Sequence, residues 1–485
     1  LITKSDPATI KSYLEDSSNL CGGHADKVII PENAAELSSI LAECTAKKTP
    51  VTISGGGTTT TGSRIPFGGI VISTEKFNRI INVDKRALSC VVEAGVTVDD
   101  LQSACGKEGL FYTTHPTERN AFLGGTIATN ASGSRSYRYG STRRAVKRLK
   151  MVFATGEILE LRRGERTLTG RELSFVLPGG RRIKADLPGY NMPDVKNAAG
   201  YFVKDDMDLI DLFIGQEGTL SVITEAELGV EPKPSEIRSC FAFFMDEESS
   251  WAFAGDLKKK KDWKVLSVEY FSENALRLLR ADNPNVPAAA RGAIFFEEEG
   301  ERGQRYSAAD RWLELIETRG GSVDDTWVAM NEKEAERFTS FRYAIPEAVN
   351  EIVKQSGFRK FSTDIAVPGD NFPEMMRFYK NTFREDGMRN VLFGHIGENH
   401  VHANALPASK PELERAESIC LKFVKKGVLL GGTVSAEHGI GKIKHAYLKT
   451  MYGDNGISGM VRVKKVFDPG CILGLDNIFP KELLH

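Results

Sequence analysis

Apolar side chains recur at Leu37, Ile40, Leu41 and Cys44 within residues 33–48, the i, i+3, i+4, i+7 stripe of an amphipathic helix. Pro50 ends that pattern. Val51-Thr52-Ile53 then reads as a short strand running into Ser54-Gly55-Gly56-Gly57. Strand-like runs follow at 69–73, 80–83 and 89–93, and 98–107 reads as a helix with Thr97 as its N-cap. Residues 147–154 and 157–161 flank Thr155-Gly156 as a hairpin. The Arg- and Gly-rich stretch 162–185 is expected to be an exposed excursion. Glu231-Pro232-Lys233-Pro234 restricts the backbone twice and marks a domain boundary. Beyond it longer helices mix with strands, an α+β texture. Residues 411–428 form a helix with Leu413, Ala416, Ile419, Cys420, Phe423 and Val424 on one face, while Lys258–Lys261 is expected to be a solvated loop.

The chain has 485 residues, enough for two or three domains. Its 64 Lys+Arg against 65 Asp+Glu leave no basic excess to hold a phosphate backbone, which argues against nucleic acid as a partner. No apolar run approaches the ~18 residues that span a bilayer, and LITKSDPATI is not a signal peptide. A start at Leu1 is what a trimmed N-terminus leaves, so an address could precede it. The seven cysteines are scattered, with no C-x-x-C pair. That removes a zinc ribbon, a ferredoxin-type cluster and a disulfide framework, and predicts reduced, mostly buried thiols in a cytoplasmic or matrix-like compartment.

Residues 57–63 read G-T-T-T-T-G-S, with Ser63 where a Walker A loop needs lysine. Triphosphate hydrolysis is therefore a poor fit. A loop of glycine amides and hydroxyls still suits a pyrophosphate that is held without being cleaved. Two more segments crowd small side chains. One runs from His115-Pro116-Thr117 through Gly124-Gly125-Thr126-Ile127-Ala128-Thr129-Asn130-Ala131-Ser132-Gly133 to Tyr139-Gly140. The other is Gly215-Gln216-Glu217-Gly218-Thr219-Leu220-Ser221-Val222-Ile223-Thr224. No G-x-G-x-x-G opens a helix, so a dinucleotide would be bound by something other than a Rossmann unit.

In order and spacing over residues 20–230, PENAAEL, VTISGGGTTTTGS, VEAGVTVDDL, GGTIATNASG…YG and GQEGTLSVIT resemble the FAD-binding domain of the vanillyl-alcohol oxidase/PCMH flavoprotein superfamily. The resemblance implies two α+β subdomains with FAD between them. Its pyrophosphate would lie on Ser54, Gly55, Gly56, Gly57, Thr58, Thr59, Gly62 and Ser63. Its flavin would lie near Pro116, Thr117, Gly124, Gly125, Ala128, Asn130, Ala131, Gly133, Tyr139 and Gly140. Glu217, Gly218, Val222 and Ile223 would complete the site. Non-covalent attachment is expected, since the glycine loop has no His or Cys and only His115 lies near.

Three of the chain's eight histidines fall within GHIGENHVHAN (394–404), and a fourth stands in SAEHGIGK (435–442). Histidines concentrated beside a carboxylate suggest a metal or acid/base site. His400, His402 and Asn404 would share one strand face, with His395 across a turn. These segments resemble the C-terminal domain of FAD-linked oxidases, whose members include D-lactate dehydrogenases, glycolate oxidase flavin subunits and D-2-hydroxyglutarate dehydrogenases. The resemblance implies a divalent metal (Zn, Mn or Fe) on His395, His402 and Glu437, His438 as the catalytic histidine and Asn404 as a polar substrate contact. In FRYAIPE (341–347), Arg342 would anchor the substrate carboxylate. STDIAVP places Ser362 where hydroxyglutarate enzymes carry a lysine, which favours a small monocarboxylate. His400 replaces the usual asparagine. Near the end GLDN (474–477) replaces N-P-G-K, which predicts the loss of a polar contact near the flavin.

The resulting expectation is an α+β protein in three parts. Residues 1–232 form a PCMH-type FAD-binding domain of two subdomains, 233–430 an α+β substrate or cap domain, and 431–485 a segment packing back on the first. It would oxidise a D-2-hydroxy acid, with D-lactate to pyruvate the leading choice. The alternatives are D-2-hydroxyglutarate or glycolate dehydrogenase, or a flavin-bound subunit of a larger redox complex. Electrons would leave to a quinone, a cytochrome, an electron-transfer flavoprotein or an iron–sulfur subunit. Location would be cytoplasmic or peripheral at the membrane, or in the matrix if the source is eukaryotic, and homodimerisation is left open.

Overall fold

A computed structural model describes residues 1–114, 116–300 and 305–485. The N-terminal sheet has four strands in the order Ile2–Lys4, Lys27–Ile30, Ile70–Ser73, Val51–Ser54. The two neighbours of Ile70–Ser73, Lys27–Ile30 and the edge strand Val51–Ser54, both run parallel to it. The helix Ala34–Lys47 makes the crossover between Lys27–Ile30 and Val51–Ser54. Asn33 caps it by accepting the Glu36 amide at 3.0 Å, and Leu37, Leu41 and Cys44 are buried beneath it.

A second sheet of five antiparallel strands follows, in the order Ile80–Asp84, Ser89–Glu93, Val222–Gly229, Val146–Val152, Ile158–Arg162. The expected hairpin pairs Val152 with Ile158 across the Thr155-Gly156 turn. Glu231–Pro232 pairs with Leu110–Phe111, and Glu236 opens the next sheet.

That sheet has seven antiparallel strands, ordered Gly321–Val328, Glu236–Phe244, Gly292–Gly300, Val265–Ser272, Asn390–Gly394, His402–Ala405, Phe361–Ser362. Its strand Val265–Ser272 is buried along its whole length, because helices cover one face and the FAD-type domain approaches the other. The chain then returns through the helix His445–Phe467. The Val51 amide donates to Ile472 O and accepts Gly474 N on its carbonyl, so the C-terminal segment joins the edge of the first sheet.

Two expectations need correction in part. Residues 162–185 are largely exposed, as expected, but they are not without a buried face. They contain a hairpin, Glu172–Val176 with Arg182–Asp186, whose Leu173, Leu177 and Ile183 are buried in the same core as Val463 and Phe467 of the C-terminal helix. Arg182 is exposed, whereas Arg181 donates to Val466 O and Arg171 to Pro188 O and Tyr190 O; it is the arginines that dominated the composition. Lys258–Lys261 is not simply a solvated loop. Lys258 and Lys259 end the helix Glu247–Lys259, and the Lys258 ammonium turns inward to the Asn399 side-chain oxygen. Burial lowers its pKa to about 8. Among the described residues, no helix is long and apolar enough to cross a membrane.

Candidate active site

The strand Val51–Ser54 delivers the glycine loop into a cavity of about 320 Å³. Glycine is required there for close approach. A Cβ at Gly56 would stand 2.7 Å from Asn120 O, and one at Gly57 (φ +80°) would stand 1.9 Å from an Arg64 nitrogen. On the opposite wall Gly124 donates to Ala94 O at 2.7 Å, and a Cβ there would meet the Ala94 side chain at 2.7 Å. Of the residues expected to bind the dinucleotide, Gly55–Thr59, Ser63, Pro116, Thr117, Gly124, Gly125, Ala128, Ala131, Gly133, Glu217, Gly218, Val222 and Ile223 line this cavity.

Five do not. The Ser54 hydroxyl accepts from Arg64 Nε at 2.7 Å, and Gly62 turns the loop at φ +73°. The Asn130 side chain is used by Arg143 N and Asn197 O. Tyr139 packs edge-on against Phe111 beside the turn at Gly140. His115 lies outside the described residues. Arg64, next to the non-Walker Ser63, was missed. Its guanidinium lines the cavity with no carboxylate within 4.0 Å among the described residues, a cation suited to a pyrophosphate. In the GLDN segment the polar side chain of Asn477 is turned to the protein. Asn477 donates to Ser63 O and Glu217 O at 2.9 Å each, and its oxygen accepts from Lys442.

The cap sheet and the SAEHG loop meet over the end of the cavity, where His395, Glu437 and His438 form part of its wall. Asn390–Gly394 ends at His395. The turn Ile396–Glu398 and left-handed Asn399 (φ 55°) then bring the chain back, so that His400 N donates to His395 O at 3.2 Å. Glu437 Oε1 lies 3.4 Å from His395 Nε2, 3.3 Å from His402 Nε2 and 3.6 Å from His438 Nε2. The other nitrogens of two of these rings are committed, His395 Nδ1 to Glu269 at 2.7 Å and His402 Nδ1 to Thr363 O at 3.0 Å. With Nδ1 held this way, both Nε2 atoms face the same carboxylate oxygen, the donor arrangement of a metal site. His400, His395, His402 and Glu437 each offer one donor atom within 4.8 Å of all the others.

Burial opposes charge throughout this cluster, and the partners decide the outcome. Burial disfavours charged His395, yet Glu269 and Glu437 outweigh it and raise its pKa to about 9. Glu437 is buried too, but Lys196 and His395 hold it well below the usual carboxylate range. Burial, with His402 alongside, pushes His400 down to about 3. Its ring is fully buried and, among the described residues, neither nitrogen has a hydrogen-bond partner. Each such orphaned group costs roughly 1–3 kcal/mol.

Arg342, on the helix Glu332–Ser356, lies behind His395. Its Nε is 3.4 Å from Glu269 Oε2, and its terminal nitrogens donate to no acceptor among the described residues. Asn404 is 1% exposed and off the cavity wall, its amide donating to the Val391 and His402 carbonyls at 3.1 and 3.2 Å. Only His402 and Asn404 lie in the strand His402–Ala405, and His400 precedes it.

Sequence reasoning missed Asp364, Lys196 and Glu269. Asp364 accepts Ser435 Oγ (2.6 Å), Lys444 Nζ (2.9 Å) and the amides of His438 (3.0 Å) and Glu437 (3.2 Å). It thereby shapes the whole SAEHG loop, and its Oδ2 also lies 3.3 Å from His438 Nδ1. The STD triplet was the available signal. Lys196 bridges Glu398 (2.9 Å) and Glu437 (2.8 Å) from a segment with no signal at all.

Two α+β subdomains around a glycine-walled cavity, closed by a cap sheet that carries histidines, define a flavin-dinucleotide oxidoreductase. Comparison with known families agrees: the FAD-linked oxidase C-terminal domain matches residues 233–475, and an FAD binding domain matches 25–162. The chain belongs to the FAD-linked oxidase family. It is 28% identical to glycolate oxidase subunit GlcD of Bacillus subtilis, over 97% of this chain and 92% of that protein. It is 28% identical to a D-lactate dehydrogenase of Archaeoglobus fulgidus (94% and 91% covered). Against a D-2-hydroxyglutarate dehydrogenase of Xanthomonas citri pv. viticola it is 26% identical (98% and 94% covered). Among solved structures, an alkyldihydroxyacetonephosphate synthase superposes with a TM-score of 0.69 at 15% identity, covering 97% of this chain and 82% of that one, a likeness of fold.

Proposed function

We propose that this chain oxidises a D-2-hydroxy acid to the 2-oxo acid, with D-lactate to pyruvate as the specific reaction. One observation carries the reading: the cavity walled by the glycine loop is also walled by His395, Glu437 and His438. Bound there, FAD would supply a two-electron acceptor, and a divalent cation on His395, His402 and Glu437 would supply Lewis acidity.

The chain's own residues account for the rest. The substrate loses a hydride from Cα and a proton from its hydroxyl, and the His438 ring on the cavity wall takes the proton. Asp364 holds that ring from its Nδ1 side and fixes the loop that carries it. Arg342 is the proposed anchor of the substrate carboxylate, which would orient Cα: it stands behind Glu269 and off the cavity wall, but its terminal nitrogens are uncommitted among the described residues. Ser362 at the hydroxyglutarate-lysine position favours a monocarboxylate, and the relatives' printed substrates are all 2-hydroxy acids. Without cluster-binding cysteines, the electrons leave to a separate quinone, cytochrome, electron-transfer flavoprotein or iron–sulfur protein, in the cytoplasm or a mitochondrial matrix.

A second reading, a flavin-bound subunit of a larger redox complex, is favoured by the word "subunit" in the Bacillus relative's name. Anaerobic mixing with D-lactate, L-lactate, glycolate and D-2-hydroxyglutarate, followed by flavin absorbance, decides between them. Bleaching fastest with D-lactate is expected. No bleaching by any of the four would refute the dehydrogenase reading, and preference for another acid would refute D-lactate. His438→Ala should slow bleaching on the order of 10²–10⁴-fold while FAD stays bound.

A further inference from the structure

We propose that His400 is a fourth ligand of the metal site, so that a divalent cation is held by three imidazoles and one carboxylate, from His395, His400, His402 and Glu437. This deepens the reading above and rests on its metal.

His400 is the one histidine of the cluster that the family pattern does not supply, and it is the most deeply buried, at 0% exposure. Among the described residues, neither of its nitrogens has a hydrogen-bond partner. In this it differs from His395 and His402, each of which has one nitrogen on an acceptor and the other facing Glu437. Asp364 Oδ1 lies 3.2 Å from His400 Nε2, but the two are not aligned for a hydrogen bond. That carboxylate is already shared among Ser435, Lys444 and two backbone amides.

An imidazole this deeply buried, with Nε2 3.2 Å from a carboxylate it is not aligned on and no hydrogen bond at either nitrogen among the described residues, is a group open to a partner. What it faces is the other three donors. Its ring centroid stands 4.6 Å from that of His402 and 5.5 Å from that of His395, and one donor atom from each of the four residues falls within 4.8 Å of all the rest. Metal–ligand bonds of about 2.0–2.2 Å place donors roughly 3–4.5 Å apart, close to this spacing before any relaxation. The 395–400 backbone closes on itself through Asn399, and that closure directs residue 400 inward. Three imidazoles also limit the choice of cation, favouring Zn²⁺, Fe²⁺ or Mn²⁺ over Mg²⁺ or Ca²⁺, which prefer oxygen.

The test uses the full-length, FAD-loaded protein stripped of metal with a chelator. Cu²⁺ is added as a probe, and the nitrogens coupled to it are counted by electron paramagnetic resonance. Zn²⁺ affinity is measured by competition with a chromophoric chelator. We expect three coupled nitrogens in the wild type and two in His400→Asn, with Zn²⁺ affinity lower by at least ~10-fold. An unchanged nitrogen count and affinity in His400→Asn would overturn the fourth ligand and leave the metal reading intact. If the wild type bound no stoichiometric cation, the metal reading would fall and this inference with it. Should His400→Asn lose its FAD or its circular dichroism, the wild-type count decides alone, three nitrogens supporting the proposal and two refuting it.

Discussion

Replacing Asp364 with asparagine separates what holds the SAEHG loop together from what the loop does. The carboxylate is 2% exposed and takes four hydrogen bonds, one of them from Lys444, itself 8% exposed. Burial raises the pKa of Asp364, but Lys444 and His438 outweigh it and hold the group well below the ordinary range, so it is an anion at neutral pH. Asp364→Asn leaves the Lys444 cation buried without its partner, at a cost of about 3–5 kcal/mol. With a urea m-value of roughly 3 kcal/mol/M, the midpoint should fall by about 1–1.7 M. Activity should fall for a second reason, because the His438 ring loses the negative charge beside Nδ1 and its loop keeps at most one of two amide anchors, Glu437 N on Oδ1 and His438 N on Oδ2. We expect flavin reduction by substrate to slow by about 10²-fold or more. Two measurements, urea unfolding and anaerobic stopped-flow bleaching, are then repeated on Asp364→Asn/Lys444→Met, where no buried charge is left over. The double variant should recover most of the stability and little of the rate. Recovery of both would mean that Asp364 only balances Lys444 and does not position His438. A single variant as stable as wild type would refute the ion-pair argument itself.

Arg342→Ala should weaken substrate binding and flavin reduction together, by roughly 2–5 kcal/mol in kcat/KM, with FAD content unchanged. Saturation that returns the full wild-type rate would remove it from the reaction geometry. Acid precipitation should leave yellow FAD in the supernatant, and flavin co-migrating with the denatured chain would point to covalent attachment. In the metal-stripped protein, the raised pKa of His395 contributes stability that is complete below about pH 6.5 and is lost as the pH rises through about 9. At ~1.4 kcal/mol per pH unit this is on the order of 3 kcal/mol. The decline should flatten in His395→Gln, and an equal slope in both proteins would assign the loss to other groups.

Certain features could be read from the sequence because their causes are local. The stripe Leu37, Ile40, Leu41, Cys44 needs only helical periodicity to be seen, and Asn33 caps that helix through its own side chain. The glycine loop is legible because Gly56 and Gly57 exclude every larger side chain at the place where two walls meet. The histidines at 395, 400 and 402 announce chemistry by crowding alone. By contrast, the hairpin at 172–186 was hidden because its buried leucine and isoleucine positions are few and its arginines dominate the composition.

The charges that set the site's electrostatics left no such trace. Lys196 meets Glu437 across 241 residues, Glu269 meets His395 across 126, and Asp364 meets Lys444 across 80. Each is a single ionisable residue in an unremarkable stretch, and its role exists only once sheet order and the cap-to-loop approach are in place. Tertiary structure likewise decided that Asn404 serves the backbone, that Arg342 stands behind Glu269 and not on the cavity wall, and that the His400 ring is sealed in with both nitrogens unbonded. A sequence encodes which side chains can prefer a turn, a helix face or a ligand. Which of them lose their water together, and so which charge must answer which, is settled only by burial.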